Sequence, residues 1–335
     1  MSNSAADISS GAAEKKRHSF WVDVGIRLVK EKPLGTAGGI ITLILLFAAI
    51  FADLSWLGLP EIGLAPYGMN ELSVGDYLSP PSLEHPLGVD HLGRDVLSRV
   101  IYGARISVII GLAATTLSII ISTVIGIPSG FMGGKFDMVM QRFVDTWMCF
   151  PALVVLLVAV SLLGPGMVQM ILLLGLWFGI AGSRVIRSAV IGIKENMYVE
   201  AARATGCPTM TILIRHILPN IMAPVIILFT VRMPAVILVE ATLSFLGLGI
   251  PPPAPSWGGM LSGEGRSYMF LAPWLAIWPG LALTIVVYGI NMFGDGLRDL
   301  LDPRLRGGVG RYETGKAGKP WSKLGLRLKR LAGVG

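Results

Sequence analysis

Apolar positions along this chain gather into long runs, and polar positions are confined between them. A membrane-spanning helix needs about 20 predominantly apolar residues. Six runs qualify, at 36–54, 106–131, 138–163, 167–190, 221–248 and 273–293. The pattern predicts an all-α integral membrane protein with six transmembrane helices. The first run starts too far from the N-terminus for a secretory signal peptide and reads as a retained span. Outside the spans, residues 55–105 form the one long extramembrane segment, rich in Pro and Gly at first. Its end places Leu92, Val96, Leu97, Val100, Ile101 and Ala104 on one helical face, with Arg94, Asp95, Ser98 and Arg99 opposite. This spacing predicts a short amphipathic helix lying at the outer interface before the second span.

Between the fourth and fifth runs lies a polar, helix-forming segment. Gly206 suits the left-handed residue that closes a helix, and Pro208 suits a helix start. Two short helices, near 195–205 and 208–217, are expected to meet there at a sharp corner. Glu200 and Arg203 are three apart and share a face. Ala201 and Ala202 between them offer a small-residue surface on which another protein can rest closely.

Among the ionisable residues within the spans, Asp145, Arg232 and Glu240 stand out, since such groups normally face a cavity or a partner. Asp145 stands alone near the inner end of the third run and reads as structural. Arg232 and Glu240 share the fifth run, which also carries Pro224 and Pro234. Eight residues separate them by about 12 Å along the helix and about 80° around it, which argues against a direct salt bridge. Arg232 reads as paired to another helix or subunit, Glu240 as interfacial near the outer end.

Composition agrees with the pattern. The chain is 53% hydrophobic and 15% charged, against roughly 25% charged in a soluble domain. The net charge of +7 does not point to nucleic acid, because no basic-aromatic stripe or binding motif accompanies it. Lys15, Lys16, Arg17, Arg27, Lys30 and Lys32, then Lys135 and Arg142, then Arg184, Arg187, Lys194, Arg203 and Arg215, and finally the tail from Arg298 all fall on one side of a six-span topology. The positive-inside rule makes that side cytoplasmic, with both termini inside. Arg94, Arg99, Arg105 and Arg266 are left outside. The two cysteines, Cys149 in a span and Cys207 in the inner loop, imply no disulfide framework.

The stretch Glu200-Ala201-Ala202-Arg203-Ala204-Thr205-Gly206, followed by Ile214-Arg215-His216-Ile217-Leu218-Pro219-Asn220, resembles the EAA loop of bacterial ABC-importer permeases. Three further segments are similar to signatures of the dipeptide/oligopeptide permease C-type subunits. They are 85–99 from His85-Pro86-Leu87-Gly88, 240–249 from Glu240-Ala241-Thr242 together with Trp257-Gly258, and 295–304 from Asp295-Gly296-Leu297. Val89 departs from the usual Thr, and the tail 308–335 is an extension the resemblance does not cover. The resemblance spans about residues 30–307. It implies a type I ABC importer (MetI-like) permease fold, with an N-terminal cytoplasmic segment 1–35, the first span and outer loop 36–105, a five-helix core 106–300 carrying the EAA loop at 191–220, and a basic tail 301–335. It further implies a multi-pass protein of the bacterial inner (plasma) membrane, paired with a homologous second permease, two ATP-binding subunits and an extracytoplasmic solute-binding protein. Glu200, Ala201, Ala202, Arg203 and Gly206 would form the ATPase-coupling surface. No cofactor belongs to this chain, ATP and magnesium being held by the partner ATPases. Di- and oligopeptides lead as cargo, while relatives carry nickel, glutathione, opines or oligosaccharides.

Other classes fare worse. Gly310-Arg311-Tyr312-Glu313-Thr314-Gly315-Lys316-Ala317 has phosphate-loop spacing but ends in Ala, where a magnesium-binding hydroxyl is required, and no strand precedes it. An intramembrane enzyme lacks support, since His18, His85, His91 and His216 all fall outside the spans and no metal-ligand set or catalytic residue emerges. A secondary transporter would call for internal repeats, which the sequence lacks, and would leave the inner loop without a task.

Overall fold

The computed structural model describes residues 20–53 and 63–301. The basic residues at 15–17, the phosphate-loop-like stretch 310–317 and the end of the third signature, 302–304, lie outside the described residues. The described chain runs α1 Phe20–Glu31, α2 Pro33–Ile50, α3 Val96–Met132, α4 Gly134–Met148, α5 Ala152–Leu163, α6 Met167–Lys194, α7 Met197–Ala204, α8 Thr209–Ile212, a π-helical turn Leu213–Ile217, α9 Leu218–Asn220 and α10 Met222–Phe245. It then continues through α11 Trp257–Met260, a second π-helical turn Leu261–Gly265, α12 Arg266–Tyr268 and α13 Trp274–Leu301. Among the described residues, α2, α3, α6, α10 and α13 are each long and apolar enough to cross a membrane.

The run 138–163 is not the unbroken helix expected, and it makes a sixth crossing only if the bent pair is counted as one span. It is split into α4 and α5, which meet at 81°. The break falls at Cys149, Phe150 and Pro151. A proline disfavours helical geometry in the residue before it and has no N–H to continue the ladder. Asp145 on α4 is also not alone. It forms an ion pair with Arg184 of α6, and Arg142 lies 3.8 Å from it. Trp147 packs against Trp177 of α6, with ring centroids 5.2 Å apart.

The second correction concerns the outer interface. No separate amphipathic helix precedes the second span, because α3 runs without a break for 37 residues. At 1.5 Å per residue this is about 55 Å, well beyond a hydrocarbon core of about 30 Å. The charges at its start interrupt the hydropathy and leave the helical repeat intact. Asp95 caps it by accepting from the Ser98 N–H at 2.8 Å, which satisfies a donor that a helix start otherwise leaves unpaired.

Small residues bring the long helices close together, the usual means of packing where lipid removes a hydrophobic drive. On α3, a Cβ at Gly126 would stand 2.7 Å from the Ser183 carbonyl of α6, and one at Gly130 would stand 2.8 Å from that of Arg187. Gly38 of α2 lies so close to the Gly289 carbonyl of α13 that no side chain fits. α1 lays Val24 and Leu28 against Leu297, Leu300 and Leu301 of α13, and Lys32 Nζ reaches Asp299 at 2.6 Å. Of the two prolines in the fifth run, Pro224 sits in the first turn of α10, where no donor is needed, and Pro234 lies inside the helix.

Candidate functional site

Two places gather chemistry, one at each end of the bundle. The first is the loop after α6. Helix α7 closes as the sequence predicts. Gly206 takes φ +76°, its N–H donates to the Arg203 carbonyl at 3.0 Å, and the Cys207 N–H donates to the Ala202 carbonyl at 3.0 Å. These two bonds are the pair that ends a helix on a left-handed residue. A Cβ at Gly206 would meet nothing within 4 Å, so glycine is required here by its backbone angle and not by space. Pro208 then precedes α8, and the chain turns into the π-helical segment.

One side of this loop is locked to the bundle. Val199, Ile212, Ile217 and Ile221 are buried with Ile127 and Phe131 of α3, Ile186 and Val190 of α6 and Leu228 of α10. Among the described residues Glu200 and Arg203 form no ion pair. The Arg203 guanidinium instead lies over the Phe131 ring, 4.5 Å from its centroid, a favourable placement for a cation on an aromatic face. Below the loop, Asp137 of α4 pairs with Arg187 of α6 and accepts from Ser129 of α3, and Lys194 Nζ donates to the Gly130 carbonyl at 3.1 Å. The other side is open: Met197, Tyr198, Glu200, Ala201, Ala204 and Gly206 are exposed. Ala202 departs from the expected surface, being half-buried against the inner cluster.

Arg232 and Glu240 do not meet, as their helical separation requires. Arg232 lies over Phe178 of α6, 5.4 Å from the centroid. Glu240 corrects the interfacial reading: it is 1% exposed, accepts from Ser244 Oγ at 2.7 Å, and its other oxygen has no hydrogen-bond partner.

The second place is at the opposite end, where the segment 85–99 is folded into a knot of buried polar contacts. His85 Nδ1 lies 3.0 Å from Asp95 Oδ1, and its Nε2 lies 3.2 Å from the Val74 carbonyl. Asp90 Oδ1 accepts from the N–H groups of Leu92 and Arg94 at 2.7 and 2.9 Å, and its Oδ2 from Arg94 Nε at 2.6 Å. Arg94 Nη2 reaches on to Glu264 in the second π-helical turn. Trp257 and Trp274 donate their indole N–H groups to the carbonyls of Val100 and Val89, and the first of these ties a later signature segment to this one. The carboxylates of Asp90 and Glu264, with His91, bring ligand atoms within 4.8 Å of one another. The Arg94 guanidinium fills the position a cation would take between them. Against this knot opens a cavity of about 660 Å³, walled by Gly247, residues 249–256 and by Arg94, Arg99, Glu264 and Tyr268. Sequence reasoning did not single out Glu264. The clue available to it was the pair Arg94 and Arg99 standing just before an apolar run.

Comparison with known proteins agrees with this geometry. Residues 122–307 match the family model described as the binding-protein-dependent transport system inner membrane component. A peptide transport system permease protein of Brucella suis biovar 1 is 40% identical over 269 residues, covering 80% of this chain and 87% of that protein. The glutathione transport system permease protein GsiD of Escherichia coli O6:K15:H31 is 37% identical over 291 residues, covering 87% and 91%. An inward-facing structure of the MetNI methionine ABC transporter aligns with 61% of this chain and 96% of its own, at 17% identity and a TM-score of 0.46. The family model over residues 122–307 and the two sequence relatives show that the chain belongs to the inner membrane component family of binding-protein-dependent transport systems.

Proposed function

We propose that this chain is the permease subunit of an ATP-driven importer of small peptides, and that the segment 197–217 is where a separate ATP-hydrolysing subunit pushes on it. The observation that carries the reading is the two-sidedness of that loop. Its open face presents Glu200, Ala201 and Gly206, while Val199 and the Arg203–Phe131 contact bind its other face to the inner ends of α3, α6 and α10. A force applied to such a surface is delivered to three crossings at once, because packed cores shift between discrete arrangements and do not deform smoothly.

The remaining parts follow from the same reading. A second, homologous permease completes the translocation path, two ATPase subunits hold ATP and magnesium, and an extracytoplasmic binding protein delivers the cargo. Both termini are cytoplasmic. Peptides lead as substrate because the relatives above are named for peptide and glutathione transport, and glutathione is itself a tripeptide.

The test is purification of the chain in mild detergent with mass spectrometry of what accompanies it, beside a Glu200→Lys variant, and uptake of labelled peptide into vesicles. An ATPase and a second permease that accompany the wild type and are lost from the variant, with ATP-dependent uptake, are the expected result. A chain that purifies alone and moves solute along an ion gradient overturns the reading.

A further inference from the structure

One cation at mid-span has no counter-charge within its own described chain. Arg232 lies ten residues, about 15 Å, from the start of α10 and thirteen residues from its end. It is partly exposed, and among the described residues its guanidinium pairs with no carboxylate and rests on the Phe178 ring of α6. Such a group is expensive in lipid and normally faces protein or a water-filled space. The helical wheel of α6 identifies the space. With Phe178 at 0° and about 100° per residue, Val185 falls at about −20°, Ala181 at about −60°, Ser188 at about −80° and Arg184 at about −120°. Val185, Ser188 and Arg184 are exposed and Ala181 is partly so, so this arc of α6 is uncovered. Arg232 of α10 stands at one edge of the arc, and Asp145 of α4, paired with Arg184, stands at the other. The three helices thus wall a trough in the half of the bundle nearer the 197–217 loop.

The charge of the trough describes what fits it. Asp145 and Arg184 are each 42% exposed, and Arg142 beside them is 81% exposed, which suits water and not hydrocarbon. Arg142, Arg184 and Arg232 bring three positive charges to the single carboxylate of Asp145, and Arg184 already occupies that carboxylate. A protein surface packed dry against the trough would have to supply the missing anions, because an unpaired buried charge is strongly destabilising. Water carries no such requirement, and the surplus of positive charge favours an anionic group passing through it. We propose that this trough is the chain's wall of the water-filled translocation path, and that Arg232 is the fixed cation in it that meets a carboxylate of the passing peptide. This rests on the importer reading above and adds a recognition position inside the membrane.

The test uses the full chain with the subunits that accompany it, in lipid nanodiscs without ATP, carrying Cys149→Ser and Cys207→Ser. Single cysteines at Val185→Cys and Ser188→Cys are compared with Ile285→Cys, on an exposed apolar stripe of α13. The probes are two membrane-impermeant methanethiosulfonates, one bearing a sulfonate and one a quaternary ammonium. Only a thiolate reacts, so the trough positions should be modified roughly tenfold or more faster than the lipid-facing control. At low salt Arg232→Gln should lower the sulfonate-to-ammonium rate ratio at Val185→Cys about fourfold. A charge about 10 Å away changes the local concentration of each probe about twofold, in opposite senses. Arg232→Lys keeps the charge and should keep the ratio. Trialanine should slow the sulfonate reaction several-fold more than trialanine amide does, and Arg232→Gln should erase that difference. Each ratio is taken on one preparation and does not depend on yield. Trough cysteines no more reactive than Ile285→Cys overturn the proposal and leave the trough covered by a neighbouring subunit. So does a charge ratio unmoved by Arg232→Gln or lowered equally by Arg232→Lys, and so does equal protection by the acid and the amide. No ATP is used, so failure here leaves ATP-driven import standing, and a lack of ATP-driven uptake leaves these ratios readable.

Discussion

Replacing Arg94 with Met tests whether the outer knot is held by charge or by shape. The Arg94 side chain is buried, and it bonds at once to Asp90 and Glu264, which are 0% and 12% exposed. Met preserves most of the volume and removes the guanidinium that, among the described residues, alone hydrogen-bonds both carboxylates. Arg99 cannot take over without moving, since it stands 3.6 Å and more from them. Removing one member of a buried ion pair costs about 3–5 kcal/mol, and here two acids are stranded by one change. At roughly 2 °C per kcal/mol for a chain of this size, the melting midpoint should fall by about 6 °C or more. Size-exclusion chromatography of heated, detergent-solubilised protein measures it. The double variant Arg94→Met, Glu264→Gln should recover about half of that loss, because one stranded charge is gone while Asp90 keeps its two backbone N–H donors. A single variant that melts with the wild type would refute the electrostatic account. Strictly additive losses in the double variant would refute the coupling between residues 94 and 264.

Three further outcomes follow from particular contacts. At Gly206, whose positive φ is the sole constraint, Val should cost about 1–2 kcal/mol and Asn much less; uptake assays should show Asn near the wild type and Val impaired, and equal impairment would assign Gly206 to a contact surface instead of a turn. Gly38→Leu should undock α2 from α13, because its Cβ would collide with the Gly289 carbonyl; disulfide trapping between cysteines placed on the two helices reads this, and undiminished crosslinking would count against the close crossing. Asp145→Asn should shift the melting midpoint by little more than the error, since Asp145 and Arg184 are each 42% exposed and such pairs contribute about 0–1 kcal/mol; a drop of many degrees would mean the pair is shielded in the assembled transporter.

What the sequence discloses and what it conceals divide along the range of the interactions involved. α2, α6, α10 and α13 are legible because each is a continuous apolar run whose register needs no knowledge of its neighbours. The corner at Gly206 is legible for the same reason, since the bonds that close it join residues at most five apart. The 81° break in the third crossing is signalled by Pro151, but hydropathy summed over 138–163 is blind to a change of direction. The start of α3 misleads in the opposite sense, because Arg99 and Arg105 look like the end of a span while the helix continues through them. Long-range pairs are beyond such reading: Asp145 finds Arg184 on another helix, and Arg94 finds Glu264 across 170 residues. The cavity at residues 247–268 joins both kinds, the local Asp90–Arg94 pair and the distant Arg94–Glu264 pair. Arg94 hydrogen-bonds both carboxylates, and Arg99 stands at 3.8 and 3.6 Å from them. No local pattern encodes which of two arginines five residues apart bonds Glu264, and only the folded arrangement shows it.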